Sequence, residues 1–165
     1  MSNIFLVGFM GCGKSTLGRK LADVLNMDFI DTDEWIESKT KKKIPLIFKE
    51  DGEIYFRKLE MEFVALARSL KNTVVATGAG LPCMHDHMEQ MKNAGMVIWL
   101  DVDESILVER LSNDPTPRPK LAGFPTIEEA VHSMLENRRK FYEQAILQIK
   151  NPTSESLIQI VKNII

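Results

Sequence analysis

The stretch GFMGCGKS, residues Gly8–Ser15, matches the phosphate-binding pattern G-x-x-x-x-G-K-[ST] at every fixed position. A short apolar run, Ile4–Val7, precedes it, and an amphipathic stretch, Lys14–Leu25, follows it. Glycines in such a loop let successive backbone N–H groups point inward, and the helix N-terminus adds partial positive charge. This strand–loop–helix context predicts a P-loop NTPase fold with a nucleotide phosphate site.

The remaining chain alternates short apolar runs with longer amphipathic stretches, which predicts a parallel sheet with helices on both faces. Further strands are predicted at Asp28–Ile30, Thr73–Thr77, Met96–Leu100 and Ile146–Ile149. Further helices are predicted at Ile54–Leu70, Glu128–Ala145 and Ser154–Ile165. The sequence therefore predicts one α/β domain over residues 1–165, with a three-layer α/β/α architecture around a five-stranded parallel sheet.

Prolines interrupt the helical pattern in Asn113–Pro125, at Pro115, Pro117, Pro119 and Pro125. Because proline cannot continue a helix, this segment is predicted to be a long loop. Long loops in compact domains often act as lids over a binding site. We therefore expect residues 113–125 to form a mobile lid segment.

The formal net charge is −2, so no basic excess draws the chain toward nucleic acid or an anionic membrane, and neither partner is expected. Cys12 and Cys83 lie far apart without a disulfide or zinc pattern. The first apolar run is too short for a signal sequence or a membrane span. We expect a reduced, cytoplasmic monomer.

The phosphate loop itself assigns several roles. Lys14 should reach the β- and γ-phosphates of ATP, and Ser15 should ligate Mg²⁺. A second partner for the metal is expected in Asp31, since ligands of open α/β sheets gather at the carboxyl ends of strands. The predicted ATP contacts in this region are Gly11, Cys12, Gly13, Lys14, Ser15 and Thr16.

Other P-loop classes fit less well. A GTPase needs a guanine-reading N-K-x-D stretch and a D-x-x-G switch, and the sequence has neither. A motor or ATPase normally carries an acidic residue at the end of a hydrophobic strand, but here the third predicted strand runs into Gly78-Ala79-Gly80.

Beyond the phosphate loop, a series of short motifs resembles the shikimate kinase family over essentially the whole chain. Each motif alone is weak, but their order and spacing together are highly specific. They are Gly8–Thr16, Asp31-Thr32-Asp33, Ile47-Phe48, Gly52-Glu53, Phe56-Arg57, Thr77–Gly80, Arg118-Pro119, and Arg138 four residues before Tyr142.

The resemblance implies an acceptor site for shikimate. In it, Asp33 would hydrogen-bond the shikimate hydroxyls and accept the proton of the attacking one. Arg57 and Arg138 would clamp the shikimate carboxylate, which suits the planar guanidinium fork. Backbone N–H groups of the Gly78-Ala79-Gly80 turn would face substrate and γ-phosphate.

The resemblance also completes the nucleotide side. Arg118 would close over the ATP phosphates from the lid, as a third catalytic residue beside Lys14 and Asp33. Arg110, together with the turn near Pro152, would flank the adenine. Asp31 would hold Mg²⁺ through a water. The implied activity is transfer of the γ-phosphate of ATP to the 3-hydroxyl of shikimate, in aromatic amino-acid biosynthesis.

The chain departs from the family at Ala79, since the family usually has three consecutive glycines there. We expect a negative φ at this position, because alanine disfavours positive φ. The alternatives are a related kinase for another hydroxy acid such as gluconate, a catalytically silent nucleotide-binding module, and a nucleoside monophosphate kinase. The last usually carries several lid arginines, and this lid has Arg118 alone.

Overall fold

The computed structural model describes residues 2–165. Its strands are β1 (Asn3–Val7), β2 (Asp28–Asp31), β3 (Thr73–Ala76), β4 (Gly95–Asp101) and β5 (Leu147–Lys150). Its α-helices are α1 (Lys14–Leu25), α2 (Thr32–Thr40), α3 (Ile44–Glu50), α4 (Gly52–Ala67), α5 (His87–Ala94), α6 (Glu104–Asn113), α7 (Ile127–Tyr142) and α8 (Ser154–Lys162). A short 3-10 helix, Leu81–Cys83, follows β3. Within this part of the chain no helix is long and apolar enough to cross a membrane.

The strands form one sheet in the order β2-β3-β1-β4-β5, and every pairing is parallel. Every residue of β1 is buried, as expected for the central strand of a sheet covered on both faces. The chain moves from β1 to β2 in one direction along the sheet and from β2 through β3 to β4 in the other. Right-handed crossovers therefore place α1 on one face and α4 and α5 on the opposite face. The predicted three-layer α/β/α fold is confirmed.

The predicted helix ends need correction. The helix predicted at Ile54–Leu70 runs over Gly52–Ala67, and those predicted at Glu128–Ala145 and Ser154–Ile165 end at Tyr142 and Lys162. On α4, Leu66 is 42% exposed, because the buried stripe of this helix follows Leu59, Phe63 and Ala67. Val24, on α1, is also exposed.

The segment between α6 and α7, residues 114–126, contains turns but neither helix nor strand, as predicted from its prolines, although Asn113 belongs to α6 rather than to the predicted loop. It passes over the carboxyl ends of the strands, since its residues line the same cavities as the residues that follow β1, β2 and β3. This segment is called the lid segment below.

Candidate active site

The phosphate loop joins β1 to α1. Gly11 and Gly13 have φ of 80° and 96°, a left-handed conformation that side chains other than glycine rarely adopt. Gly13 immediately precedes the first turn of α1, so the N–H groups of that turn open into the cavity above the loop. The glycine spacing of the motif therefore corresponds to backbone geometry that the loop requires.

Lys14 is buried inside this loop, with 8% of its surface exposed. Its Nζ donates hydrogen bonds to the carbonyl oxygens of Gly8 (2.7 Å) and Phe9 (2.8 Å). The Sγ of Cys12, itself buried, lies 3.5 Å from the same ammonium group. The loop thus holds a desolvated positive charge where phosphate oxygens would approach.

Ser15 and Asp31 lie side by side, as their predicted role at a metal requires. The hydroxyl of Ser15 donates to Asp31 Oδ2 at 2.5 Å. The other oxygen of Asp31 accepts from the N–H groups of Asp33 (2.9 Å) and Glu34 (3.3 Å), and so caps α2. A hydroxyl and a carboxylate oxygen at one point are hard ligands that fit Mg²⁺ with its remaining waters.

Asp33 occupies the floor of the site. Its Oδ1 is buried and has no hydrogen-bond partner among residues 2–165. Burial and, to a smaller extent, the nearby charge of Asp31 raise the pKa of this carboxyl to about 6, against the opposing charge of Lys14. A buried carboxylate without a partner is rare in proteins and indicates a group reserved for a ligand.

Two cavities meet above Asp33. The first, about 530 Å³, is lined by the phosphate loop with Arg110, Arg118 and Pro152. The second, about 630 Å³, is lined on its far side by α3, α4 and α7. Both are lined by Met10, Asp31, Asp33, Gly78, Ala79 and Arg118. A nucleotide in the first cavity and a second small molecule in the other would therefore touch at Asp33.

Arginine side chains face the second cavity with unused donors. Arg57 pairs with Glu60 (2.6 Å) and Glu53 (3.2 Å), but its Nε is buried without a partner within residues 2–165. Arg138 likewise has a buried Nη1 without a partner, and its guanidinium lies 5.6 Å from the ring centre of Phe9. Two guanidinium groups with free buried N–H donors suit a planar carboxylate.

Glu60 is a buried residue of the second cavity that the sequence did not indicate. It is 1% exposed and bound to Arg57, and burial raises the pKa of its carboxyl to about 7 while Arg57 opposes that shift. Its spacing of three residues from Arg57 on α4 is the signal that could have found it.

The turn after β3 brings its glycines against the site. A Cβ at position 78 would lie 2.8 Å from Asp33 Oδ1, and one at position 80 would lie 2.9 Å from Arg57 Nη1. Ala79, between them, is not among the residues of positive φ in the described chain, so the negative φ expected there is confirmed. A side chain at position 78 or 80 would therefore displace the end of the Asp33 or Arg57 side chain, whereas the methyl at position 79 is accommodated.

The N–H groups of this turn are not equivalent. The N–H group of Gly78 donates to the hydroxyl oxygen of Thr32 at 2.7 Å. It is therefore not free to donate to a ligand, contrary to what the resemblance had implied. The carbonyl of Ala79 accepts from the buried hydroxyl of Tyr142 at 2.7 Å. Thr32 and Tyr142 thereby fix the conformation of the turn, a role that the sequence did not indicate. The N–H groups of Ala79 and Gly80 remain as the predicted donors.

Arginines also surround the first cavity. Arg118, in the lid segment, pairs with Asp114 at 2.6 Å and keeps a buried Nε without a partner in the described chain. Arg110 donates to the carbonyl of Gly11 at 3.0 Å and lines the cavity with Pro152, as the predicted adenine contact requires. Thr16 lines the same cavity.

Replacing Arg138 with lysine should raise the KM for the acceptor roughly tenfold or more and change that for ATP by less than about twofold. Lysine keeps the charge but loses the guanidinium fork. Steady-state kinetics with each substrate varied in turn will measure both constants. Arg139→Lys is the matched control, because Arg139 lies over Trp99 and lines neither cavity. Equal changes in both KM values would contradict the prediction that Arg138 binds the acceptor and not ATP.

Comparison with known proteins agrees with this geometry. The family model described as shikimate kinase matches residues 10–165. A curated shikimate kinase of Persephonella marina is 42% identical over 165 residues, covering 100% of this chain and 98% of that protein. One from Bacteroides fragilis is 41% identical over 147 residues, covering 88% and 82%.

Among solved structures, a shikimate kinase from Acinetobacter baumannii in complex with shikimate superposes with a TM-score of 0.90. It is 34% identical and covers 99% of this chain and 92% of its own. A deoxyadenosine kinase from M. mycoides (TM-score 0.63, 15% identity, 98% and 97% covered) and a gluconokinase from Sinorhizobium meliloti (0.56, 17%, 96% and 87%) share the fold alone.

Proposed function

The chain belongs to the shikimate kinase family, and from this membership we propose that it transfers the γ-phosphate of ATP to the 3-hydroxyl of shikimate. The observation that carries the proposal is the meeting of two cavities at Asp33, with the unused guanidinium donors of Arg57 and Arg138 on the acceptor side of that carboxylate. The products are ADP and 3-phosphoshikimate.

The acceptor side orients the substrate. Arg57 and Arg138 hold the carboxylate of shikimate, which places its ring over the turn at Gly78–Gly80. Asp33 Oδ1 then receives a hydrogen bond from the attacking hydroxyl and takes its proton as the new O–P bond forms. Because Oδ1 has no partner within residues 2–165, no existing hydrogen bond has to break first.

The nucleotide side neutralises charge. Lys14 moves from the carbonyl oxygens of Gly8 and Phe9 to the phosphates, and Arg118 approaches them from the lid segment. Ser15 and Asp31 would hold Mg²⁺ together with ATP, and the ion would supply further neutralisation of the phosphate charge. The N–H groups of Ala79 and Gly80 complete the donors around the transferred phosphoryl group.

We further propose that the protein acts as a cytoplasmic monomer with ATP and shikimate as its ligands. Every proposed site residue belongs to this one chain, so a single copy can form the complete site. Cys12 and Cys83 are both free thiols, as is common in a reducing compartment. Size-exclusion chromatography with light scattering measures the oligomeric state.

A coupled ADP-release assay across shikimate, quinate, gluconate and nucleoside monophosphates tests the activity. We expect shikimate to give a kcat/KM at least about 100-fold above each of the others, since the site has a carboxylate clamp and a proton acceptor in fixed positions. Preference for gluconate would leave the kinase assignment standing and overturn the substrate.

Changing Ala79 to glycine should leave turnover with shikimate within about tenfold of wild type, a barrier change of roughly 1.4 kcal/mol. The backbone at this position does not need glycine, so the methyl group costs little. Both proteins should be assayed with shikimate and with gluconate. Negligible shikimate activity in the wild type, with a large gain in Ala79→Gly, would mean that the methyl reshapes the pocket for another acceptor.

A further inference from the structure

One carboxylate oxygen joins the lid segment to the acceptor site. Glu53 Oε1, in the first turn of α4, accepts from Lys120 Nζ at 2.5 Å and from Arg57 Nη2 at 3.2 Å. Lys120 belongs to the lid segment, and Arg57 belongs to the proposed carboxylate clamp. The two cations therefore share a single acceptor atom.

Lys120 also fastens the lid segment to a second element of the acceptor site. Its ammonium group lies 5.8 Å from the ring centre of Phe48, which lines the acceptor cavity from α3. Two residues earlier in the segment, Arg118 lines both cavities. The same short stretch of chain thus contacts the acceptor site through Lys120 and reaches the nucleotide site through Arg118.

The charges make these contacts interdependent. Lys120, through its hydrogen bond, and Arg57 lower the pKa of the Glu53 carboxyl, so Glu53 is ionised at neutral pH. An acceptor carboxylate that binds Arg57 competes with Glu53 for the guanidinium group. As Arg57 turns to the acceptor, more of the negative charge on Glu53 is available to Lys120, and the lid contact strengthens.

We propose that Glu53 and Lys120 are positioning residues that couple acceptor binding to docking of the lid segment. An acid bound at Arg57 strengthens the Glu53–Lys120 pair, which holds Arg118 over the phosphates. By thermodynamic linkage, nucleotide and acceptor then tighten each other's binding by the same factor. This inference rests on the proposed function, because it requires an anionic acceptor at Arg57.

Calorimetry of shikimate binding, without nucleotide and with saturating Mg·ADP, measures the coupling. We expect Mg·ADP to tighten shikimate binding by about fivefold in the wild type. This factor equals about 1 kcal/mol, within what a partly exposed ion pair contributes. In Lys120→Met the factor should fall below about twofold. Shikimate affinity without nucleotide should fall only slightly, because Glu53 then pairs with Arg57 alone and competes more strongly for it.

Three further variants separate this role from a general effect of charge. Lys120→Arg keeps the ion pair and should keep the coupling. Lys49→Met makes the same change at an exposed lysine of α3 that lines neither cavity, and should also keep it. Adding Glu53→Gln to Lys120→Met should reduce the coupling no further, because the first change has already removed the pair.

Hydrogen exchange gives a second readout. Shikimate alone should slow exchange in residues 114–126 of the wild type, and should not do so in Lys120→Met. Coupling retained in Lys120→Met, coupling lost equally in Lys49→Met, or a wild-type factor near one would each overturn the inference. Failure of the wild type to phosphorylate shikimate would instead overturn the proposed function, so the two failures are distinguishable.

Discussion

Replacing Lys14 with methionine should lower the turnover number by about 100- to 1,000-fold while leaving the fold intact. Methionine has nearly the length of lysine and no charge. It therefore fills the loop but removes the ammonium group that would neutralise charge on the transferring phosphoryl group. Lys14 is buried, where electrostatic stabilisation of a transition state is larger than in water.

Steady-state kinetics with saturating ATP and shikimate will measure the turnover number, and circular dichroism will report the fold. Lys49→Met serves again as the control, since it removes one positive charge at an exposed position of α3. A folded Lys14→Met variant with near-normal turnover would show that the loop does not act on the reacting phosphate.

Contiguous features were predictable from the sequence. The phosphate loop and α1 follow one another along the chain, so residue spacing alone located Gly11, Gly13, Lys14 and Ser15. The strands were also found within two residues, because short buried apolar runs bounded by turns are typical of parallel sheets. Asp31 could be placed near Ser15 from the sheet alone, since Asp31 ends β2 and the phosphate loop with Ser15 follows the carboxyl end of β1.

Contacts between distant segments were not predictable in this way. Most arginines on amphipathic helices face solvent, so the periodicity of α4 and α7 cannot single out Arg57 or Arg138, and only the family resemblance did so. Neither spacing nor resemblance revealed that Thr32 occupies the N–H of Gly78, or that Tyr142 holds Ala79. Those contacts depend on how the sheet and helices pack.

The predicted helix ends were wrong for a different reason. Apolar residues continue past the true ends of α4 and α8, at Leu70 and Ile165, so the periodic pattern extends beyond the last residue of each helix. The N-termini of α2, α7 and α8 are marked by side-chain caps, at Asp31, Thr126 and Thr153. The cap at Asp31 matters for function, because it leaves the carboxylate of Asp33 free for a ligand.

Replacing Asp33 with asparagine should lower turnover by about 100- to 10,000-fold, because an amide cannot accept the proton of the attacking hydroxyl. In the wild type, kcat/KM should rise with pH through about 6, where the Asp33 carboxyl ionises. Asp23→Asn, at an exposed position of α1, is the matched control and should leave turnover unchanged.

The same substitution should stabilise the protein at neutral pH. The carboxyl of Asp33 has a pKa near 3.8 when unfolded and about 6 when folded, so between these values the native state keeps a proton that the unfolded state has lost. Its favourable contribution to the free energy of unfolding is therefore fully present below about pH 4 and is lost as pH rises through 6. At pH 7 the buried charge costs up to roughly 3 kcal/mol, which an uncharged amide avoids.

Urea unfolding of Asp33→Asn and the wild type across pH 4 to 7 tests this expectation. The variant should gain stability relative to the wild type as pH rises, and the difference should nearly vanish at pH 4. The unfavourable burial of Asp33 would then be linked directly to catalysis. Burial raises the pKa of this carboxyl, and the same buried Oδ1, without a partner within residues 2–165, is available to the acceptor hydroxyl. A variant that loses turnover yet gains no stability at pH 7 would mean that the carboxylate charge is compensated in the folded protein, and the predicted rise of kcat/KM near pH 6 should then be absent too.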